Sequence, residues 1–197
     1  MATTLLSTLL PDVVAPRCPE PVQLQALRLA CRRFCNDTEI WAEKMTSIPS
    51  VADQADYTLT PGYDNVIIRR VRGVTADGAS LLESCWSVSY QGVLTLDPAP
   101  TAAGIGVIPT VVYVPNPQCT AVVDWLVARW GDAIAAGAES QLKRDPGKSA
   151  DPVPWYDQGG FAVAESRYQT GVSEALTEVF SSRQSGHQGV ELRSFYL

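Results

Sequence analysis

Residues 120–142 read TAVVDWLVARWGDAIAAGAESQL, and the apolar residues of this stretch recur at helical spacing. Steps of three or four residues place on one face Val123, Val127, Trp130, Ile134, Ala138 and Leu142. The pattern predicts a helix that Thr120 caps and that ends before Pro146-Gly147. Its centre consists almost entirely of small residues, so the backbone of a second helix can approach it closely.

Three further segments have helical character. A helix is predicted after Pro19 and Pro21, with an apolar face made of Leu24, Leu27, Cys31 and Phe34. A short helical piece is predicted over residues 38–45, and residues 47–55 read as a linker. A last long helix, ending at about Ser182, is predicted with an apolar face made of Phe161, Ala164, Tyr168, Val172, Ala175 and Val179.

Between Tyr57 and Val114 the pattern changes to that of short strands. This segment is rich in Val, Ile, Thr and Tyr, and turn-forming pairs such as Asp77-Gly78 interrupt it. We expect strands near residues 56–60, 65–73, 80–83, 85–90, 93–96 and 107–114. Together the segments predict the α+β class: an elongated helical bundle, built from N-terminal helices and two long C-terminal helices, with a small inserted antiparallel β domain.

The same pattern divides the chain into four parts. We expect an N-terminal arm and bundle helices in residues 1–54, the β domain in 55–116, the long helices in 117–184 and a docking tail in 185–197. The tail ends in a run with five apolar or aromatic residues, Val190, Leu192, Phe195, Tyr196 and Leu197. It either folds back on its own subunit or binds a neighbouring protein, for example by adding a strand to an exposed sheet edge.

The composition argues against several classes of function. The 197 residues carry 15 basic and 21 acidic side chains, a net charge of −6, without the basic surplus that tight duplex binding requires. The longest apolar run, residues 102–114, is shorter than the roughly 20 residues of a membrane helix and contains Pro109, so no membrane span is predicted. No Lys or Arg precedes Arg17, which is not typical of a secretory signal. The odd number of cysteines, 5, indicates reduced, buried thiols and folding in a cytoplasm.

No catalytic arrangement emerges from the sequence. The single histidine, His187, lies in the Gly-rich tail, which is a poor platform for catalysis. Cys31 and Cys35 lie one helical turn apart, but no second Cys or His pair accompanies them as it would in a zinc site. The carboxylates of Asp97 and Glu83 have no hydrolase motif around them. We therefore expect no enzymatic activity, no cofactor and no metal.

Two places on the chain are candidates for contact between subunits. Arg69, Arg70 and Arg72 form the densest basic cluster, and Arg70 and Arg72 share one face of a predicted strand. That face is either solvated or a polar contact with another protein. Trp125 lies off the apolar face of its helix, which makes it a candidate interface residue.

Runs of residues near both ends of the chain carry a resemblance to a known family. They are Leu10-Pro11-Asp12-Val13, Cys18-Pro19-Glu20-Pro21, Ala30, Phe34, Cys35, residues 142–148, Pro154-Trp155, Tyr168, Gly171 and Ala175. With the strand-rich insert between them, they resemble the head–tail adaptor (connector) proteins of tailed bacteriophages, which include tail tubular protein A of short-tailed phages. The resemblance covers nearly the whole chain, although residues 148–155 are longer than the compact Lys-Pro-Trp run of that family.

The resemblance implies a structural virion protein of the neck, assembled in the cytoplasm of a host bacterium. Adaptor subunits form a ring, usually a dodecamer, on the portal protein, and their β-rich part faces the next tail or nozzle protein. Their C-terminal segment commonly docks into the portal, which here corresponds to Val190, Leu192, Phe195, Tyr196 and Leu197. Genomic DNA would pass through the lumen without specific binding, and an acidic chain suits such a channel.

An alternative from another class is a carbohydrate- or protein-recognition β module carried on a helical stalk. Its contact residues would be Trp86, Tyr90 and Tyr113. Rings in electron micrographs favour the adaptor, whereas persistent monomers with affinity for glycans favour the recognition module.

Overall fold

The computed structural model of the chain describes residues 2–89, 91–147 and 153–186. The protein belongs to the α+β class, with antiparallel sheets and two long helices in its C-terminal half, as predicted. The chain divides into two compact units, one made of Met1–Ile40 with Val114–Phe180 and the other built on Trp41–Tyr113. We call them the helical unit and the β unit.

The described elements follow one another in this order: strand β1 (Thr3–Leu5), a 3-10 helix (Leu6–Asp12), helix α1 (Glu20–Thr38), strands β2 (Ala42–Lys44), β3 (Ile48–Pro49), β4 (Asp56–Thr58), β5 (Val66–Ala76) and β6 (Ala79–Ser80), a 3-10 turn (Glu83–Cys85), strands β7 (Trp86–Val88), β8 (Val93–Leu96), β9 (Gly106–Pro115) and β10 (Ala121–Val123), and helices α2 (Asp124–Arg144) and α3 (Gln158–Gly186).

Helix α2 is the central helix of the helical unit. Every residue from 133 to 140 is buried, rather than the single face predicted from the sequence, because α2 is covered on several sides. The small residues allow this close packing, as predicted: a Cβ on Gly171 of α3 would overlap the methyl group of Ala133. A Cβ on Gly137 would lie 2.8 Å from the Tyr168 ring and 3.3 Å from the Ala30 methyl group.

Contacts between side chains fix the directions of the three helices. Ala30 packs near Gly137, and the ring of Phe34 lies 5.6 Å from that of Trp130, so α1 and α2 are antiparallel. Arg33 reaches Glu165 and, one helical turn later, Asp37 accepts a hydrogen bond from Tyr168, so α1 and α3 run parallel.

The start of α2 differs from the prediction. Residues 121–123 form strand β10, which pairs antiparallel with Thr3–Leu5, and α2 begins only at Asp124 with Val123 as its N-cap. Thr120 therefore does not cap the helix. The pairing partner lies near the other end of the chain, so no local pattern around residue 120 could indicate this strand.

The β unit has a strand at each of the six predicted places, paired into two antiparallel sheets, but in place of the strand predicted over residues 80–83 it has only the two-residue β6. One sheet has the strand order β2-β9-β5-β6, with β3 also on β9, and the other has the order β4-β8-β7. Asp77 (φ 49°) and Gly78 (φ 78°) form the tight turn between β5 and β6, as their positive-φ tolerance predicts.

Two predictions at the start of the β unit are wrong. The helical piece over residues 38–45 does not form, because α1 ends at Thr38 and left-handed Glu39 (φ 52°) turns the chain towards strand β2. The predicted linker contains strand β3, and its buried Ser50 accepts hydrogen bonds from the amides of Gly104 and Ile105. Both strands pair with β9, a partner that is distant in sequence.

All five cysteines are free thiols, as predicted: Cys18, Cys31, Cys35 and Cys119 are buried and Cys85 is half-buried. Within the described part of the chain, no helix combines the length and the apolar character needed to cross a bilayer.

Candidate functional site

The predicted docking residues lie outside the part of the chain that the structure describes. These are Val190, Leu192, Phe195, Tyr196 and Leu197. His187 also lies outside the described residues. Their role stays a prediction from the sequence.

The structure places the candidate contact residues on the surface of their own units. On strand β5, Arg69 and Arg70 are exposed, Val71 is buried and Arg72 is half-buried, so strand alternation puts Arg70 and Arg72 on the side opposite Val71. In the first turn of α2, Trp125 is 37% exposed, whereas Trp130 is 6% exposed. Trp125 therefore lies off the buried face, as predicted.

The aromatic residues of the alternative recognition module do not form an open platform. Tyr113 is only 3% exposed, so it cannot offer its ring face to a glycan, and the prediction of a contact role for it is wrong. Trp86 is half-buried, and Tyr90 falls outside the described residues.

Tyr113 instead belongs to an aromatic cluster that holds the β unit together. The ring centroids of Trp41, Tyr63 and Tyr113 lie 5.2–5.6 Å apart. Glu43 completes the cluster by accepting hydrogen bonds from the indole N–H of Trp41 (3.1 Å) and the hydroxyl of Tyr63 (2.7 Å). Burial and the neighbouring Glu43 carboxylate raise the pKa of Tyr63 above its ordinary value. The cluster is a satisfied structural core, not a binding site.

The carboxylates of Glu83 and Asp97 lie in two different connections of the β unit, which a backbone hydrogen bond joins. The amide of Asp97 donates to the carbonyl of Cys85 (2.8 Å), and Glu83 begins the 3-10 turn that contains Cys85. Among the described residues, no group of three or more His, Cys, Asp or Glu side chains is arranged to hold a metal ion.

A network of polar side chains links the three helices, and no pattern in the sequence predicts it. Glu165 of α3 accepts hydrogen bonds from Arg33 of α1 (2.9 Å), Ser140 of α2 (2.9 Å) and Gln169 (2.8 Å). The Arg33 guanidinium also stacks on the Tyr168 ring, 4.3 Å from its centroid. Burial acts to raise the pKa of Glu165, but these hydrogen bonds and the Arg33 charge outweigh it, so the pKa lies below its ordinary value.

This network leads to a pH-dependent prediction. The pKa of Glu165 is lower in the folded protein than in the unfolded chain. The ionised side chain therefore stabilises the fold at pH values above its unfolded-state pKa, and this stabilisation is lost as the pH falls through its folded-state pKa. We expect Glu165→Gln to lower the free energy of unfolding by about 1–2 kcal/mol at pH 7 and by clearly less near pH 3. Urea unfolding at both pH values, followed by circular dichroism at 222 nm, measures the difference. An equal loss at both values contradicts the prediction.

A second polar group lies at the C-terminal end of α2. Lys143 Nζ bonds Glu139 Oε1 at 2.5 Å, and their side chains are only 10% and 7% exposed. Arg167 of α3 approaches the other oxygen, Oε2, at 3.6 Å without a hydrogen bond, and Asp157 lies 3.9 Å from Lys143. The group connects α2 to the start of α3, so its role is structural.

Two outward helix faces remain, and they have regular spacing. The α3 outer face, in steps of three and four residues, consists of Val163, Ser166, Thr170, Ser173 and Thr177, all exposed. The α1 outer face has the same spacing and consists of Val22, Gln25, Leu29, Arg32 and Asn36. The apolar stripes that predict the helices are the buried ones, and both outer faces follow from the same periodicity on the opposite side of each helix.

Comparison with known proteins gives no family assignment, because no protein-family model matches the chain and no curated protein matches it significantly.

Proposed function

We propose that this protein is a structural component of a phage virion, a head–tail adaptor that forms a ring beneath the portal. It would join capsid to tail and extend the channel for DNA ejection. The observation that carries the proposal is the β unit Trp41–Tyr113, inserted between α1 and the long helices α2 and α3. That helix–sheet–helix order is the one that the resemblance to adaptor proteins implies.

The surface of the helical unit supports an assembled state. Large apolar side chains are exposed on several of its elements, among them Leu5 (55%), Val14 (57%) and Val163 (64%). Only 18% of all residues are charged, compared with roughly 25% in an average soluble domain. A ring covers such surface because each subunit contacts a neighbour on both flanks.

The charge of the chain supports the role of a conduit. A net charge of −6 gives the subunit no general attraction for phosphates, so DNA in the lumen of a ring would be weakly held. The β unit would face the downstream tail or nozzle protein, and the apolar segment from Val190 would engage the portal.

The docking segment gives the test. Deletion of residues 186–197 should leave the helical and β units folded, since the contacts described above involve none of these residues. The truncated subunit should no longer bind the portal protein encoded with it, with at least about a tenfold loss in affinity. Co-sedimentation with portal rings and negative-stain micrographs measure this.

A matched variant separates loss of side chains from loss of length. Phe195→Ser, Tyr196→Ser and Leu197→Ser together keep the chain length and should reproduce the loss of portal binding. Undiminished binding by both variants overturns the docking role. Absence of rings from the full-length protein, alone and with the portal, overturns the adaptor proposal.

A further inference from the structure

The outer face of α3 is unusual for an exposed helix because none of its five positions is charged. Val163 at its start is 64% exposed, and the hydroxyls of Thr170 and Thr177 donate to carbonyls of their own helix. A charge lies beside the face rather than on it: Glu174 follows Ser173, and it has no ion-pair partner among the described residues.

The outer face of α1 complements it in charge and also exposes aliphatic side chains. Val22 and Leu29, 37% and 41% exposed, lie two helical turns apart on this face. Arg32 follows on the same face, and no described carboxylate pairs with it. The α1 face thus exposes two aliphatic side chains, and the α3 face exposes one aliphatic side chain and four hydroxyl side chains. The unneutralised charges of the two helices have opposite sign.

The two faces also match in register. A constant offset of 141 residues places Val22 beside Val163, the larger Leu29 beside the smaller Thr170, and Arg32 beside Ser173 and Glu174. This is the in-register pairing of parallel helices, in which positions spaced by three and four residues meet along one seam. An antiparallel arrangement that brings Arg32 to Glu174 places Val22 beyond residue 180 and loses the pairing with Val163.

These pairs cannot form within one subunit. Inside the subunit, the contact of Arg33 with Glu165 sets an offset of 132, so Val22 and Val163 are nine residues out of register. At 1.5 Å per residue the shift is about 14 Å, well beyond the reach of side-chain contact. The match therefore requires a second copy.

A ring permits this contact between copies. Rotation about the axis of a twelve-fold ring changes the direction of any helix by at most about 30°. Because α1 and α3 run parallel within a subunit, α1 of one copy stays close to parallel with α3 of the next. The contact joins two different surfaces, which is the heterologous type that closes rings.

We infer that neighbouring subunits contact each other through the α1 outer face of one copy and the α3 outer face of the next, with Arg32 and Glu174 forming an ion pair across the contact. The inference rests on the proposed ring and names the surfaces that build it. The register of α3 against α1 differs by about 14 Å between the contact within a subunit and the contact between copies. Neighbouring subunits of a ring lie roughly 25–30 Å apart and at the same height, so the helices must tilt by roughly 30° from the ring axis to produce this difference.

Charge reversal tests the ion pair. Arg32→Glu and Glu174→Arg should each reduce the fraction of protein in rings by roughly tenfold, because each places like charges side by side. The double variant restores opposite charges and should recover wild-type assembly to within about threefold. Arg144→Glu, the same change at an exposed site off both faces, should assemble as the wild type does. Native mass spectrometry with portal protein present gives the fractions.

Cysteine pairing tests the register. In a Cys85→Ser background, Val22→Cys combined with Val163→Cys should give, on oxidation, a ladder of crosslinked oligomers, since a disulfide needs Cα atoms within about 7 Å. Rings that form without this ladder, or single charge variants that assemble like Arg144→Glu, overturn the inference and leave the adaptor proposal standing. Wild-type protein that forms no ring with or without the portal overturns both.

Discussion

Replacing Lys143 by Met should lower the free energy of unfolding of the helical unit by about 3–5 kcal/mol. The substitution leaves Glu139, whose side chain is only 7% exposed, without its one described hydrogen-bond donor. Arg167 lies 3.6 Å from the other carboxylate oxygen, which is too far for a good hydrogen bond. An uncompensated buried carboxylate costs far more than the pair itself contributes. Urea unfolding at pH 7, followed by circular dichroism at 222 nm, measures the change.

Two further variants isolate the buried charge as the cause. Arg129→Met also replaces a basic side chain of the same helix by Met, but it removes a much more exposed pair with Glu178, so it should cost no more than about 0.5 kcal/mol. Lys143→Met with Glu139→Met replaces both partners by apolar side chains and should recover most of the loss. Equal effects of the two single substitutions, or no recovery in the double variant, would show that this explanation is wrong.

The second large effect is expected at Phe34. Its side chain is fully buried where the three helices meet, with ring centroids 5.6 Å from Trp130 and 6.3 Å from Tyr168. Phe34→Ala removes contacts with both partner helices and leaves a cavity, so we expect a loss of about 3–5 kcal/mol in unfolding free energy. Urea unfolding followed by tryptophan fluorescence is suited to the measurement because Trp130 lies in the affected core.

Leu29→Ala on the outer side of the same helix is the matched control. Leu29 is 41% exposed, so its truncation should change the stability of the subunit by no more than about 0.5 kcal/mol. The same variant should weaken ring assembly, because Leu29 lies at the inferred contact between copies. A stability loss at Leu29 as large as that at Phe34 would contradict the assignment of inner and outer faces.

The parts of the fold that depend on local pattern were predictable from the sequence. The turn Asp77-Gly78 has the positive φ angles that these residues tolerate, and it joins two antiparallel strands, β5 and β6, as a tight hairpin turn should. The buried face of α3 contains the predicted Ala164, Tyr168 and Ala175. In each case the residues that fix the structure are close together in the sequence.

The parts that depend on distant partners were not predictable. Residues 42–44 and 121–123 became strands because each pairs with a segment far along the chain, and short segments of this kind carry little preference of their own. Glu165 is a similar case among the site residues. Its partner Arg33 is 132 positions away, so nothing in the local sequence separates it from an ordinary surface glutamate.

The division into two units has a consequence for synthesis on the ribosome. The strands of the β unit are contiguous in the chain and can pair once residue 115 has emerged. Helix α1 is made earlier, yet its buried face waits for α2 and α3. At 5–20 residues per second, Phe34 and its neighbours remain without their partners for on the order of ten seconds. The apolar face of α1 is then a natural binding site for a chaperone while the β unit is already folded.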